Sequence, residues 1–497
     1  MTRGVVSAPR IEAIEAGEQV LRDGGTAVDA AVAACFVLGV VEPYMTGPGA
    51  VGELVHLDLD GACTVVDGEA RAPLAATPDL YGEPVGGPSG GYGWSEMAGR
   101  RNEVGGGSVA APRLVSALAE AHRRLGRMPW ERVLAPAIEV AENGWPLDVF
   151  TEASVFDAYD ELAAHSDGLV DVTYPPGERP FALNGARRTL RNPALAATLR
   201  RIAFDGEDVL RSGPLAEAIV AVAQRGGGVL ADEDLRSVEA VVHEGVEPLA
   251  TYRGWSVYGS PVPSGALTVA HILETLDRSP ARPRDARWYA DFAVACGAAF
   301  DARIASFSGA PTATTHLSVA DGEGRVVALT STLLSLFGSR TAVADAGFYL
   351  NNGMMWFDPQ PGRSNSIRPG WRALVAMSPV VLVDPEASTR IALGALGGRR
   401  IPSAVAQVAA FRIEHGEPLD RAVDIPRVHV EPTATHVDER LPPEVHAAVQ
   451  ARGFDVTSMV YGPLTLSLAR ANGVEWSAAK TTTGIDQRSR DTWRYGR

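Results

Sequence analysis

Thr314 and Thr332 are the residues whose types and spacing carry the clearest chemical possibility. They lie in Ala313-Thr-Thr-His-Leu-Ser-Val319 and in the run Arg325–Thr332 that follows it. Strand alternation puts Thr314, His316 and Ser318 on one face and Thr315, Leu317 and Val319 on the other. Residues 321–325 read as a hairpin loop centred on Glu323. That register sets 320 opposite 326, 318 opposite 328 and Thr314 opposite Thr332, with Cβ atoms roughly 5 Å apart. Two threonines so placed are ordinarily a cross-strand pair and nothing more. A chain break before Thr314 would change that. A threonine at a new N-terminus carries its own nucleophile, the hydroxyl, and its own base, an α-amine of pKa about 8. Ala313 is small, leaving room for the hydroxyl to attack its carbonyl, and the Thr332 hydroxyl is placed to orient Thr314.

The elements that must position this hairpin follow from the pattern. Residues 8–25 and 26–41 read as two helices. The first is amphipathic and ends at a glycine pair; the second is apolar nearly all round and therefore buried. Strands at Glu53–Asp58 and Ala62–Val66 meet at Asp60-Gly61. Residues 82–107 read as a long Gly/Pro loop, and helical patterns recur at 109–125, 130–142, 194–204, 214–225 and 286–307. After Thr314 come β-rich pairs, with helices near 402–414 and 443–452. Helices enclosing a largely antiparallel β core give a layered α+β class.

Composition removes several functional classes. The 497 residues carry a net charge of −15 and a pI near 5.2, which argues against nucleic acid or an anionic membrane as partner. Hydrophobic residues at 46% and charged residues at 21% describe a globular chain. No apolar run reaches the length of a membrane span, and the N-terminus has no signal-peptide core, so a cytoplasmic setting is expected. Three widely spaced cysteines, Cys35, Cys63 and Cys296, argue against a disulfide framework or a zinc site. The glycine set Gly47, Gly49 and Gly52 follows a helix and precedes a strand, the wrong order for a dinucleotide fingerprint, so it reads as a tight turn. His429 and His436 read as a surface loop, not metal ligands. Neither metal nor cofactor is expected.

With these residues in view, the chain resembles the γ-glutamyltransferase (γ-glutamyltranspeptidase) family of N-terminal-nucleophile hydrolases. The resemblance runs from about Gly4 to about Val456. It is carried by GGTAVDAAVAACFVLGVVEP at 24–43, the long block at 108–147, GGGVLADEDL at 226–235, YRGWSVYGSPVPSGA at 252–266, TTHLSVAD at 314–321, LNN at 350–352, DPQPGRSNSIRPG at 358–370, MSP at 377–379 and LGALGGRRI at 393–401. It implies a four-layer α-β-β-α sandwich. It also implies self-cleavage between Ala313 and Thr314, into a large segment 1–313 and a small segment 314–497 that stay together as a heterodimer of one intertwined fold. Thr314 matches the family nucleophile, Thr332 its supporting threonine, and Gly397 and Gly398 the pair whose amides hold an oxyanion. Glycine suits that last role because it lets the backbone approach a reacting centre.

The departures bear on substrate. Positions where the family places polar groups for a glutamyl head read Glu69, Leu334, Gly353, Trp356, Val375 and Ala376, and Arg71 stands two residues beyond the expected arginine. The expectation is a self-processing hydrolase that keeps the acyl-threonine chemistry on a small amide or acyl compound other than glutathione. Arg71, Asn352, Arg340 and Arg400 are the candidate substrate-binding residues. Three alternatives stay open: a pathway-specific homologue removing an oxalyl unit by C–C cleavage in bacterial modified-proline biosynthesis, an ordinary γ-glutamyl transferase or hydrolase, and an inactive binding module.

Overall fold

Asp321 sets the register of the central hairpin. Its amide donates to the Arg325 carbonyl at 3.0 Å, and its Oδ1 accepts the amides of Glu323, Gly324 and Arg325 at 3.0, 2.8 and 3.0 Å. Gly324 has φ +113°, and a Cβ there would lie 2.7 Å from the Trp476 ring, so only glycine closes this loop. Ala320 consequently pairs with Val326, and the ladder runs in step back to Thr315 opposite Ser331.

The protein is described from a computed structural model over residues 4–89, 94–165, 189–304, 313–432 and 434–490. The strands of its two main sheets, in chain order, are β1 (Val5–Ser7), β2 (Val51–Leu57), β3 (Cys63–Gly68), β4 (Val241–Glu244), β5 (Ala250–Tyr252), β6 (Trp255–Tyr258), β7 (Ala313–Ala320), β8 (Val326–Leu334), β9 (Val380–Val383), β10 (Thr389–Leu396), β11 (Arg470–Ser477) and β12 (Thr481–Ile485). The first sheet has the order β1-β7-β8-β2-β3-β4 and the second β12-β11-β10-β9-β6-β5. Strands from both sides of residue 313 therefore contribute to each sheet.

The sheets face each other through Val55, Val65, Ala328, Val381, Ala392 and Val474. Helices α1 (Ile11–Arg22), α2 (Ala27–Val41) and α3 (Leu114–Leu125) cover the outer face of the first sheet. Helices α4 (Gly265–Asp277), α5 (Ala286–Ile304) and α6 (Ile401–Ile413) cover the second. The result is an α-β-β-α sandwich, as expected. Helix α2 is buried along its whole length because its sequence has no polar stripe, and it starts from a capping box: the Thr26 hydroxyl accepts the Asp29 amide at 3.2 Å, while Asp29 Oδ2 accepts the Thr26 amide at 2.8 Å. No helix among the described residues is long and apolar enough to cross a membrane.

Three expectations need correction. The Gly/Pro stretch 82–107 is not wholly a loop, since Pro84–Ser89 and Trp94–Met97 pair as short strands; residues 90–93 lie outside the described residues. Helix α3 begins at Leu114 and not at 109, because Pro112 holds the residue before it extended. His429 and His436 form no surface loop: they face each other across paired strands Val428–Glu431 and Ala434–Asp438, with rings stacked 5.9 Å apart. The helix read to 307 is described to Ile304, and 305–307 lie outside the described residues.

Candidate active site

The in-step ladder stops at Thr315. The next pair is Ala313 with Leu334, so Thr332 and Leu333 together oppose Thr314, a bulge in β8. Leu334 takes φ +84°, and its amide donates to Thr332 Oγ1 at 2.7 Å. The Thr314 hydroxyl donates to the same oxygen at 3.4 Å. With its proton held by Thr332, the lone pairs of Thr314 Oγ1 point elsewhere, the orientation a nucleophile needs. Both threonines are buried. The expected opposition of Thr314 and Thr332 is thus present, at a bulge and not in a regular pair. Ala313 lies in the same strand, so the bond read as the cleavage site enters the sheet directly.

Asn352 braces this bulge. Its amide NH₂ donates to the carbonyl of Glu103 and to Ser335 Oγ, both at 2.9 Å, while Oδ1 accepts the Ser335 amide at 3.0 Å. Its own N–H bonds the Leu333 carbonyl. Both of its side-chain donors are spent inside the protein, so the structure makes it a support for residues 333–335.

The Gly397–Gly398 pair arrives at the same end of the hairpin. At the loop end, Arg390 of β10 donates to the Gly324 carbonyl at 2.8 Å. Further along, Gly394 lies beneath His316, and a Cβ there would be 2.3 Å from the imidazole. β10 therefore runs alongside β7 from the loop towards Thr314 and delivers Gly397 beyond Leu396. Gly397 has φ +131° and Gly398 φ +66°, and a Cβ on Gly397 would approach Ala469 Cα to 2.6 Å. The pair turns the chain into α6 at a helix N-terminus, where backbone amides favour negative charge.

His316 shares the inner face with Thr314 but is structural. Its Nδ1 meets Thr330 Oγ1 at 2.8 Å and its Nε2 meets Ser318 Oγ at 2.9 Å. Burial pushes it down to about 3, leaving a neutral ring at working pH. Thr315 points the other way and donates to Glu42 Oε2 at 2.8 Å. Burial pushes Glu42 up to about 7. Nothing in the sequence pattern pairs 42 with 315.

The wall beside Thr332 is apolar. Val51 is its partner in β2 and belongs to one buried cluster with Leu334, Met354, Trp356, Phe357, Val375 and Met377. Glu69 follows β3 on the same inner face, and neither carboxyl oxygen has a hydrogen-bond partner. Burial raises Glu69 well above the carboxylate range. Arg372 neutralises its neighbours, donating to Asp67 at 2.7 Å and Glu53 at 3.2 Å.

The remaining sequence candidates make their contacts with other groups. Arg340 is ion-paired with Glu161 on the helix Val149–His165. Arg400 places Nε 3.4 Å from His436 Nδ1. Arg71 reaches the Gly370 carbonyl at 3.4 Å. Among the described residues no cluster of His, Cys, Asp and Glu is arranged to hold a metal.

Comparisons with known proteins agree with this geometry. A family model described as Gamma-glutamyltranspeptidase matches residues 13–311 and 300–494. The chain is 33% identical to an acylase ACY 1 proenzyme of Pseudomonas sp. (strain V22) over 92% of this chain and 87% of that one. It is 28% identical to the glutathione hydrolase proenzyme of Bacillus subtilis (strain 168), over 90% and 84% respectively. The crystal structure of a cephalosporin acylase from Bacillus halodurans shares the fold, with a TM-score of 0.82 at 23% identity, covering 98% of this chain and 94% of that one.

Proposed function

The chain belongs to the gamma-glutamyltranspeptidase family, and from that premise we propose that it cuts itself between Ala313 and Thr314 and then hydrolyses an amide with an apolar acyl group through an acyl–Thr314 ester. Its relatives named as proenzymes support the first step. In that step Thr314 Oγ1 attacks the Ala313 carbonyl, the C–N bond breaks, and the nitrogen becomes the α-amine of Thr314. Water then hydrolyses the ester, giving a carboxylate on Ala313 and a free Thr314 hydroxyl.

Catalysis repeats the same chemistry on substrate. The hydroxyl attacks the acyl carbon, the α-amine takes the proton and passes it to the leaving amine, and water resolves the ester. The amides of Gly397 and Gly398 stabilise the oxyanion. Thr332 orients Thr314 and does not touch the substrate.

One observation carries the reading: the Thr314–Thr332 pair adjoins a wall made of Val51, Leu334, Trp356 and Val375. A zwitterionic glutamyl head would bury its charges there against methyl groups and the Glu69 carboxyl, which is unfavourable. An apolar acyl chain loses nothing. The 33% identity to a protein named as an acylase supports hydrolysis of an acyl compound. The test is the mature enzyme on hexanoyl-p-nitroanilide and γ-glutamyl-p-nitroanilide. The apolar substrate should win by about 100-fold in kcat/KM, as expected when buried polar partners are absent; equal or better turnover of the glutamyl compound overturns the assignment.

A further inference from the structure

A pocket lies beside the β3–β4 edge of the first sheet. It is a cavity of about 340 Å³ lined by Arg71, Arg113, Val241 and two acidic residues, Asp234 and Glu239. That volume suits a small molecule. Neither Thr314 nor Thr332 lines it.

The cavity holds two cations without a carboxylate partner. Among the described residues neither Arg71 nor Arg113 forms an ion pair. Arg113 is only 4% exposed. One of its NH₂ groups donates to the Glu239 carbonyl, while its Nε has no partner. Arg71 spends one weak bond, at 3.4 Å, on the Gly370 carbonyl.

The acids nearby are engaged elsewhere. Asp234 accepts the amides of Leu74 and Ala231 at 2.7 and 2.8 Å. The Glu239 carboxylate is 83% exposed and lies 3.8 Å from Arg211. On the face that Val241 shares, its strand partner Asp67 is held by Arg372 at 2.7 Å, and Asp67 and Glu69 attract Arg113 only through space, with no hydrogen bond to it. Burial and the adjacent Arg71 lower Arg113 to about 10. Two guanidinium groups sharing one wall repel each other, and a buried donor left unpaired is costly. An oxyanion with two or more acceptor oxygens answers both costs, because guanidinium binds it with paired N–H bonds.

We propose that Arg71 and Arg113 form a binding site for the carboxylate or phosphate group of a small molecule, separate from the Thr314 centre and independent of its chemistry. The pair acts as a fork: Arg113 is the fixed arm, pinned by Glu239, and Arg71 the movable one at the rim.

The test is calorimetric titration of the full protein with sodium phosphate and with sodium succinate in Tris chloride, ionic strength being held constant with NaCl. Saturable binding of at least one anion is expected. It should weaken about tenfold or more in Arg71→Gln and in Arg113→Gln, the loss of a charge-assisted bond, and persist in Thr314→Ala. Preference for phosphate identifies a phosphorylated ligand, and preference for succinate a carboxylate; either supports the site. Arg71 is only half-buried, so Arg71→Gln carries the test even if Arg113→Gln folds poorly. Absence of saturable binding of both anions, or undiminished binding in Arg71→Gln, overturns the proposal.

Discussion

The Thr314 hydroxyl donates to Thr332 Oγ1 across 3.4 Å, and the amide of Leu334 donates to that same oxygen at 2.7 Å. Thr332 is thus held from behind by the bulge while it holds the nucleophile in front. Removing its oxygen frees the Thr314 rotamer without disturbing the outer face of the sheet. Thr332→Ala should slow self-cleavage about tenfold, the worth of one buried hydrogen bond, and Thr332→Ser should restore most of the rate. Time-resolved denaturing gels of protein synthesised in a cell-free system measure it.

Gly397 combines a left-handed φ of +131° with a Cβ position 2.6 Å from Ala469 Cα. Gly397→Ala must shift the turn that aims the oxyanion amides. A loss of kcat of about 100-fold or more is expected, comparable to deleting one oxyanion donor. A chain that folds, as judged by circular dichroism, and retains wild-type kcat would contradict the role given to this turn.

Leu334 occupies a left-handed conformation that asparagine tolerates well, and it stands two residues beyond Thr332 in the apolar wall. Leu334→Asn puts an amide where the glutamyl head group needs one. The ratio of γ-glutamyl-p-nitroanilide to hexanoyl-p-nitroanilide hydrolysis should rise about tenfold, the effect of one added polar contact. An unchanged ratio would mean that this wall does not face the substrate.

Glu42 supplies a pH signature. Burial raises its carboxyl from 4.5 to about 7, so the folded protein holds a proton that the unfolded chain releases. The associated stability is full below pH 4.5 and is lost as pH rises through 7. Between pH 6 and 8 the loss is on the order of 1 kcal/mol for a group so shifted. Glu42→Gln keeps a carbonyl for the Thr315 hydroxyl and removes the titration. Its stability relative to wild type should therefore rise with pH over that range, as read by urea denaturation at each pH.

The hairpin register was legible in the sequence because strand alternation and a five-residue loop leave little freedom once Asp321 and Gly324 close the turn. The burial of α2 was legible from its lack of any polar stripe. The bulge was not, since it depends on the positive φ of Leu334 and on Asn352, residues whose types do not announce either. The Glu42–Thr315 bond joins positions 273 residues apart, and the Arg372–Glu53 pair 319 apart, so no local pattern encodes them. The reading of His429 and His436 as surface loop fails because the Pro-containing sequence between them looks exposed, while the strands Val428–Glu431 and Ala434–Asp438 bury His429 completely. Arg71, chosen from charge and motif proximity, proves to line a pocket whose wall includes neither threonine.

The central claim is that Thr314 becomes an N-terminus, and N-terminal sequencing with intact mass of the purified protein tests it most directly. The wild-type chain of 52.4 kDa should resolve into two fragments, the smaller beginning Thr-Thr-His-Leu-Ser, while Thr314→Ala stays whole. An active wild-type protein that remains a single 52.4 kDa chain, with no terminus at Thr314, would contradict the account.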